Sequence, residues 1–101
     1  MIEGDPPPPI LLWPGDAIGL KQAQHLVGRG PKTIKKWCQE HAIGFNSCRG
    51  AGWEISAPGL VAVWHRDDLA LAKLRSGERD HPRVRRILDY LISLGELERR
   101  R

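Results

Sequence analysis

Residues 28–31, Gly-Arg-Gly-Pro, forbid one long helix and so constrain the fold more than any other stretch. They divide the run LKQAQHLVGRGPKTIKKWCQEH, Leu20 to His41, into two short helices joined by a tight turn. Leu20, Ala23, Leu26 and Val27 fall at i, i+3, i+6 and i+7, which predicts one apolar face on the first helix. Gly28-Arg29-Gly30 stops that helix. Pro31 suits the first turn of the next, where its missing N–H costs nothing. Ile34, Trp37, Cys38 and His41 follow at i, i+3, i+4 and i+7, the spacing of a buried stripe.

A chain of 101 residues is one domain by length, and a hydrophobic share of 41% supports a modest core. Pro6 to Pro9 form a proline run in an acidic lead-in that should be extended. Ile10, Leu11, Leu12 and Trp13 interrupt the lead-in with an apolar patch, expected to dock on the domain as a flap. The N-terminus lacks a basic start followed by a long apolar run, so no secretory signal is expected. The longest apolar stretch, Leu60 to Trp64, is too short to span a bilayer. Cys38 and Cys48 give no disulfide framework, which favours reduced thiols and a cytoplasmic setting, the nucleoid of a bacterium or a phage-infected cell.

After His41, Phe45 to Cys48 and Trp53 to Ser56 are short candidate strands around the turn Arg49-Gly50-Ala51-Gly52. A rival parse pairs Trp53–Ser56 with Leu60–Trp64 around Ala57-Pro58-Gly59. The first is preferred because Ser56 with Pro58 also reads as a helix start. Pro58 to His65 is then a short helix with Leu60, Val63 and Trp64 facing the core. Asp67 or Asp68 caps the next helix, whose apolar residues are Leu69, Ala72 and Leu71, and Gly77 ends it. Pro82 opens a last helix to about Leu94, with the stripe Val84, Ile87, Leu88, Leu91 and Ile92 widened by Tyr90, Leu94 and Leu97. That wide stripe either closes the core or makes a dimer or partner contact. The class expected is mainly α with a small β-hairpin.

Charge is unevenly spread. Residues 1–19 carry a net −3, residues 20–50 carry +5, residues 51–80 carry −1 and residues 81–101 carry +3. With Ile34, Trp37 and His41 inward, Lys32, Lys36 and Gln39 point the opposite way, and Lys35 and Thr33 lie on the flanks. An α-helix fits the major groove of DNA. Lysine reaches guanine or phosphate, glutamine pairs with adenine, and the threonine methyl meets that of thymine. The start of this helix adds Arg29, free N–H groups and a partial positive charge. Arg49, with Gly50 and Gly52 at the hairpin tip, suits a narrow minor groove. The bland alternative for such a face is simple solvation. A matching first helix, turn and basic hairpin around it favour DNA.

LKQAQHLVG, GPKTIKKW and RGAGWEIS carry a resemblance over residues 19–65. The chain resembles the winged helix-turn-helix of excisionases and the wider MerR-like superfamily. The resemblance implies Lys32, Thr33, Lys35 and Lys36 on the groove-facing side, Arg49 at the wing, and Ile34, Trp37 and Trp53 in the core. The connection from His41 to Trp53 is longer than in the shortest members, and the helices from Asp67 onward lie outside the motif. The organisation expected is a Pro-rich lead-in at 1–18, a winged helix-turn-helix domain at 19–80, and an amphipathic helix with a basic tail at 81–101.

Other chemistries fare poorly. Cys38, His41, Cys48 and His25 are ligand-capable, but their spacing is not that of a structural zinc site, and Cys38 and His41 fall on the core stripe. Asp67-Asp68 is a capping pair before it is a catalytic one, since adjacent helical residues do not face each other. No phosphate loop, dinucleotide fingerprint or nucleophile–base set is present. Core filling accounts better for the tryptophans than a stacking platform does. No catalytic residue, cofactor or metal is therefore expected. The expected function is sequence-specific double-stranded DNA binding, as an excisionase-like architectural factor or a small transcriptional regulator. It would act beside a recombinase or other protein, with the last helix as a candidate homodimer contact. The alternative is a protein-interaction module, such as a phage packaging adaptor or antiactivator, using the last helix and the Ile10–Trp13 patch.

Overall fold

The computed structural model describes Ile10, residues 15–48 (backbone only at 47 and 48) and residues 52–95. In chain order the elements are β1 (Ala17–Ile18), α1 (Leu20–Val27), α2 (Pro31–His41), β2 (Gly44–Cys48), β3 (Gly52–Ser56), α3 (Ala57–Trp64), α4 (Asp68–Ser76) and α5 (Pro82–Ser93). The molecule is mainly helical, with one small antiparallel sheet in the order β1-β3-β2.

The two-helix reading of Leu20–His41 holds. α1 ends at Gly28, whose φ of 66° is left-handed, and Pro31 opens α2 at its first turn. Both helices bury one side: Ala23 and Val27 in α1, Ile34 and Cys38 in α2. The β2–β3 hairpin is the first of the two parses. Its register pairs Gly44 with Ile55, Phe45 with Glu54 and Asn46 with Trp53, and slips between Asn46 and Cys48. Ser56 then caps α3, its hydroxyl accepting the Gly59 N–H at 3.0 Å.

α3 is the centre of the core. Every residue from Ala57 to Val63 is buried, as a helix apolar on all sides requires. Gly59 lets it be approached: a Cβ there would lie 2.6 Å from Ile10 Cδ1 and 3.0 Å from Ile43 Cγ2. The Ile10 side chain fills that space, and its N–H donates to the Ala42 carbonyl at 3.2 Å. Ile10 thus docks as expected of the apolar patch, while Leu11, Leu12 and Trp13 lie outside the described residues.

Two expectations are corrected. Residues 15–18 are more than lead-in. Ala17 and Ile18 pair with Ser56 and Ile55 as an edge strand, and Asp16 and Ile18 are buried. In α4 Leu71 faces inward as expected, joined by Ala70 and Leu74, whereas Leu69 is 44% exposed and Ala72 is also exposed. Both sets satisfy helical spacing. The buried face is the one set against α3 and α5, and the Asp67 carboxylate caps the helix by accepting the Ala70 N–H at 3.1 Å. Of the two roles open to the wide stripe of α5, closing the core is met: residues 81–95 share the core of residues 19–80. Val84, Ile87 and Leu91 belong to one apolar cluster with Ile34 and Leu60, and α5 packs on α3 and α4. Tyr90 and Leu94 stay exposed, and Leu97 lies outside the described residues.

Candidate nucleic-acid interface

Burying Ile34 and Cys38 fixes what α2 shows to solvent. Lys32, Lys35, Lys36 and Gln39 are exposed, Arg29 is exposed in the preceding turn, and Thr33 is half-buried on the flank. At about 100° per residue, Lys32, Lys36 and Gln39 centre the outward face. One ion pair touches this face among the described residues: Lys36 Nζ lies 3.9 Å from Glu40 across one exposed turn. Such a contact is worth at most about 1 kcal/mol. It leaves the lysine free to exchange partners.

The helix is held at both ends. Its N-terminus follows Gly30, which offers no side-chain cap, so first-turn N–H groups stay open to an anion. At the other end Arg75 of α4 donates from Nη2 to the His41 carbonyl at 3.0 Å, and Ala42 turns the chain out at φ 55°. A cation on the last carbonyls offsets the negative end of the helix. Arg75 escaped the sequence reading because the hydrogen bond joins residues far apart in the chain.

Behind the face, the expected stripe is narrower than its spacing implied. Ile34 and Cys38 are buried, but Trp37 and His41 are half-buried. These two lie where α2 leaves the core, and with Val63, Trp64 and Leu71 they line a shallow cleft between α2 and α3–α4. Trp53 and Trp64 are likewise half-buried and packed against the core.

The hairpin is set against α2 by Gly44. A Cβ at that position would meet Cys38 Sγ at 3.0 Å and Ile55 Cγ1 at 2.9 Å. The base of the hairpin therefore touches the inner side of α2. Phe45 is 51% exposed on the hairpin. Arg49, expected at its tip, lies outside the described residues.

Burial pushes the Cys38 thiol up to about 11 from an ordinary 9.0. The folded chain keeps a proton that the unfolded chain releases, so this contribution is complete below pH 9.0 and declines as pH rises toward 11. The loss should reach about 2 kcal/mol near pH 10.5. Thermal melts from pH 8 to 10.5 should fall more steeply for the wild type than for Cys38→Ala; parallel curves would refute the assignment. Among the described residues, no group of three or more His, Cys, Asp or Glu side chains is placed to hold a metal ion, and no helix is long and apolar enough to cross a membrane.

No protein-family model, curated sequence or solved structure matches the chain.

Proposed function

We propose that the chain binds double-stranded DNA, with α2 as the reader in the major groove and the β2–β3 hairpin as a wing beside it. The observation that carries this reading is the face of α2. Lys32, Lys35, Lys36 and Gln39 are exposed together on a helix whose other side is locked into the core. α1 and a short turn precede that helix, and a hairpin follows it. The finer role is an excisionase-like architectural factor or a small transcriptional regulator, acting without chemistry of its own beside a recombinase or polymerase. Arg49 at the hairpin tip would reach the adjacent minor groove.

Lys32→Ala and Lys36→Ala should each weaken duplex binding and flatten its salt dependence. The log–log slope of affinity against salt should fall by about 0.9 for each phosphate that is no longer neutralised. Fluorescence anisotropy over a salt series reads both quantities. Unchanged affinity and slope in both variants would end the assignment of this face. A footprint separates the two roles: protected direct repeats favour the architectural factor, and an inverted repeat over a promoter favours a dimeric repressor.

One observation favours a second reading, a protein-interaction module or homodimer through α5. Tyr90 is 39% and Leu94 48% exposed on that helix. The Ile10 part of the other candidate surface is spent on the core. A pure interaction module would show little binding to random duplex at low salt.

A further inference from the structure

The cleft behind α2 has a charged rim, of which the proposed reader uses Arg29 and leaves Arg66 unassigned. Arg29, in the turn before α2, and Arg66, in the corner between α3 and α4, both line it, together with Trp37 and Trp64. Neither guanidinium has a protein partner among the described residues. Among the described residues Asp68 is the acid lining the cleft, and it lies in the first turn of α4, where the positive end of that helix offsets its charge. Arg66 also holds φ 55°, a left-handed conformation in which asparagine or glycine is cheaper than arginine. The chain therefore bears a backbone cost to keep a guanidinium at this corner, and nothing within the described protein uses it.

The position of the cleft suggests its occupant. Thr33, Trp37 and His41 form one i, i+4 row along α2, on the flank opposite Lys35. A helix about 10–12 Å across nearly fills a major groove about 12 Å wide, so a phosphate strand borders it on each side. Lys35 lies on the flank toward one strand, and the cleft opens on the flank toward the other.

We infer that Arg29 and Arg66 form a clamp across this cleft for a phosphodiester strand of the duplex that α2 reads. The inference rests on the proposed DNA-binding reading and extends it to Arg66, outside the helix-turn-helix. Guanidiniums suit the bidentate recognition of phosphate oxygens, and Trp37 and Trp64 give the same cleft apolar surface. The clamp contributes affinity and register without reading bases.

The test is binding of a short random-sequence duplex by the full chain across a salt series. Arg66→Asn removes the charge while suiting φ 55°, and its melting temperature serves as the control for folding. Arg66→Asn and Arg29→Ala should each lower the log–log salt slope by about 0.9, whereas Arg66→Lys should keep it. If the wild type binds and Arg66→Asn keeps the full slope, the clamp is wrong and the reader face stands. If the wild type does not bind duplex even at low salt, the DNA-binding reading falls and the clamp with it.

Discussion

Asp16→Asn should destabilise the fold by about 3–5 kcal/mol, the range for removing one partner of a buried ion pair. Asp16 is 3% exposed. Arg79, in the segment between α4 and α5, holds it at two points: Nη1 lies 2.8 Å from Oδ2, and Nη2 donates to Oδ1 at 3.3 Å. The Arg79 side chain is 12% exposed, so solvent does little to relieve it once its partner turns neutral. The Asp16 carbonyl also accepts the Ala57 N–H at 3.0 Å, which brings the carboxylate to the start of α3. A domain of this size has a total stability of about 5–15 kcal/mol, so urea denaturation should show a midpoint well below that of the wild type. Replacing both partners with apolar residues, as in Asp16→Leu/Arg79→Met, should recover much of the loss, because the cost arises from the unpaired charge. A single variant that melts with the wild type would show that the pair is solvated and idle.

Leu91→Ala should cost about 2–5 kcal/mol, the range for truncating a buried leucine. Leu91 is fully buried, with Val84 and Ile87 beside it on the inner side of α5. Leu94→Ala, three residues on and 48% exposed, should change stability by no more than about 0.5 kcal/mol. The contrast is the content of the prediction. If α5 were an appendage to a domain ending near residue 80, the two variants would behave alike. Guanidinium denaturation of the pair decides the matter.

Local patterns made half of this architecture legible. Gly28 and Pro31 bracket a turn by their own backbone limits, so α1 and α2 could be read from the residues that form them. Ser56 followed by Pro58 likewise marks the start of α3. The inward side of α4 could not be read this way, because Leu69 and Ala72 satisfy helical spacing as well as Leu71 and Leu74 do. The half-burial of Trp37 and His41 depends on where α2 runs out of core to lie on. β1 was hidden for another reason: two residues carry no period, and their pairing partners lie at Ile55 and Ser56. At the candidate site, the outward lysines followed from the placing of Ile34. Arg66 and Arg75 did not: Arg66 sits in the corner between α3 and α4, and Arg75 meets a carbonyl 34 residues away in the chain.

The link between Asp16 and Arg79 joins residues 63 apart in the chain, whereas α1 and α2 meet across a three-residue turn. The helix pair needs little loop closure to form. The ion pair must wait until the two distant segments have found each other, after most of the ordering entropy has been spent. Asp16 and β1 should therefore act as a latch that closes late, so that its loss speeds unfolding more than it slows folding.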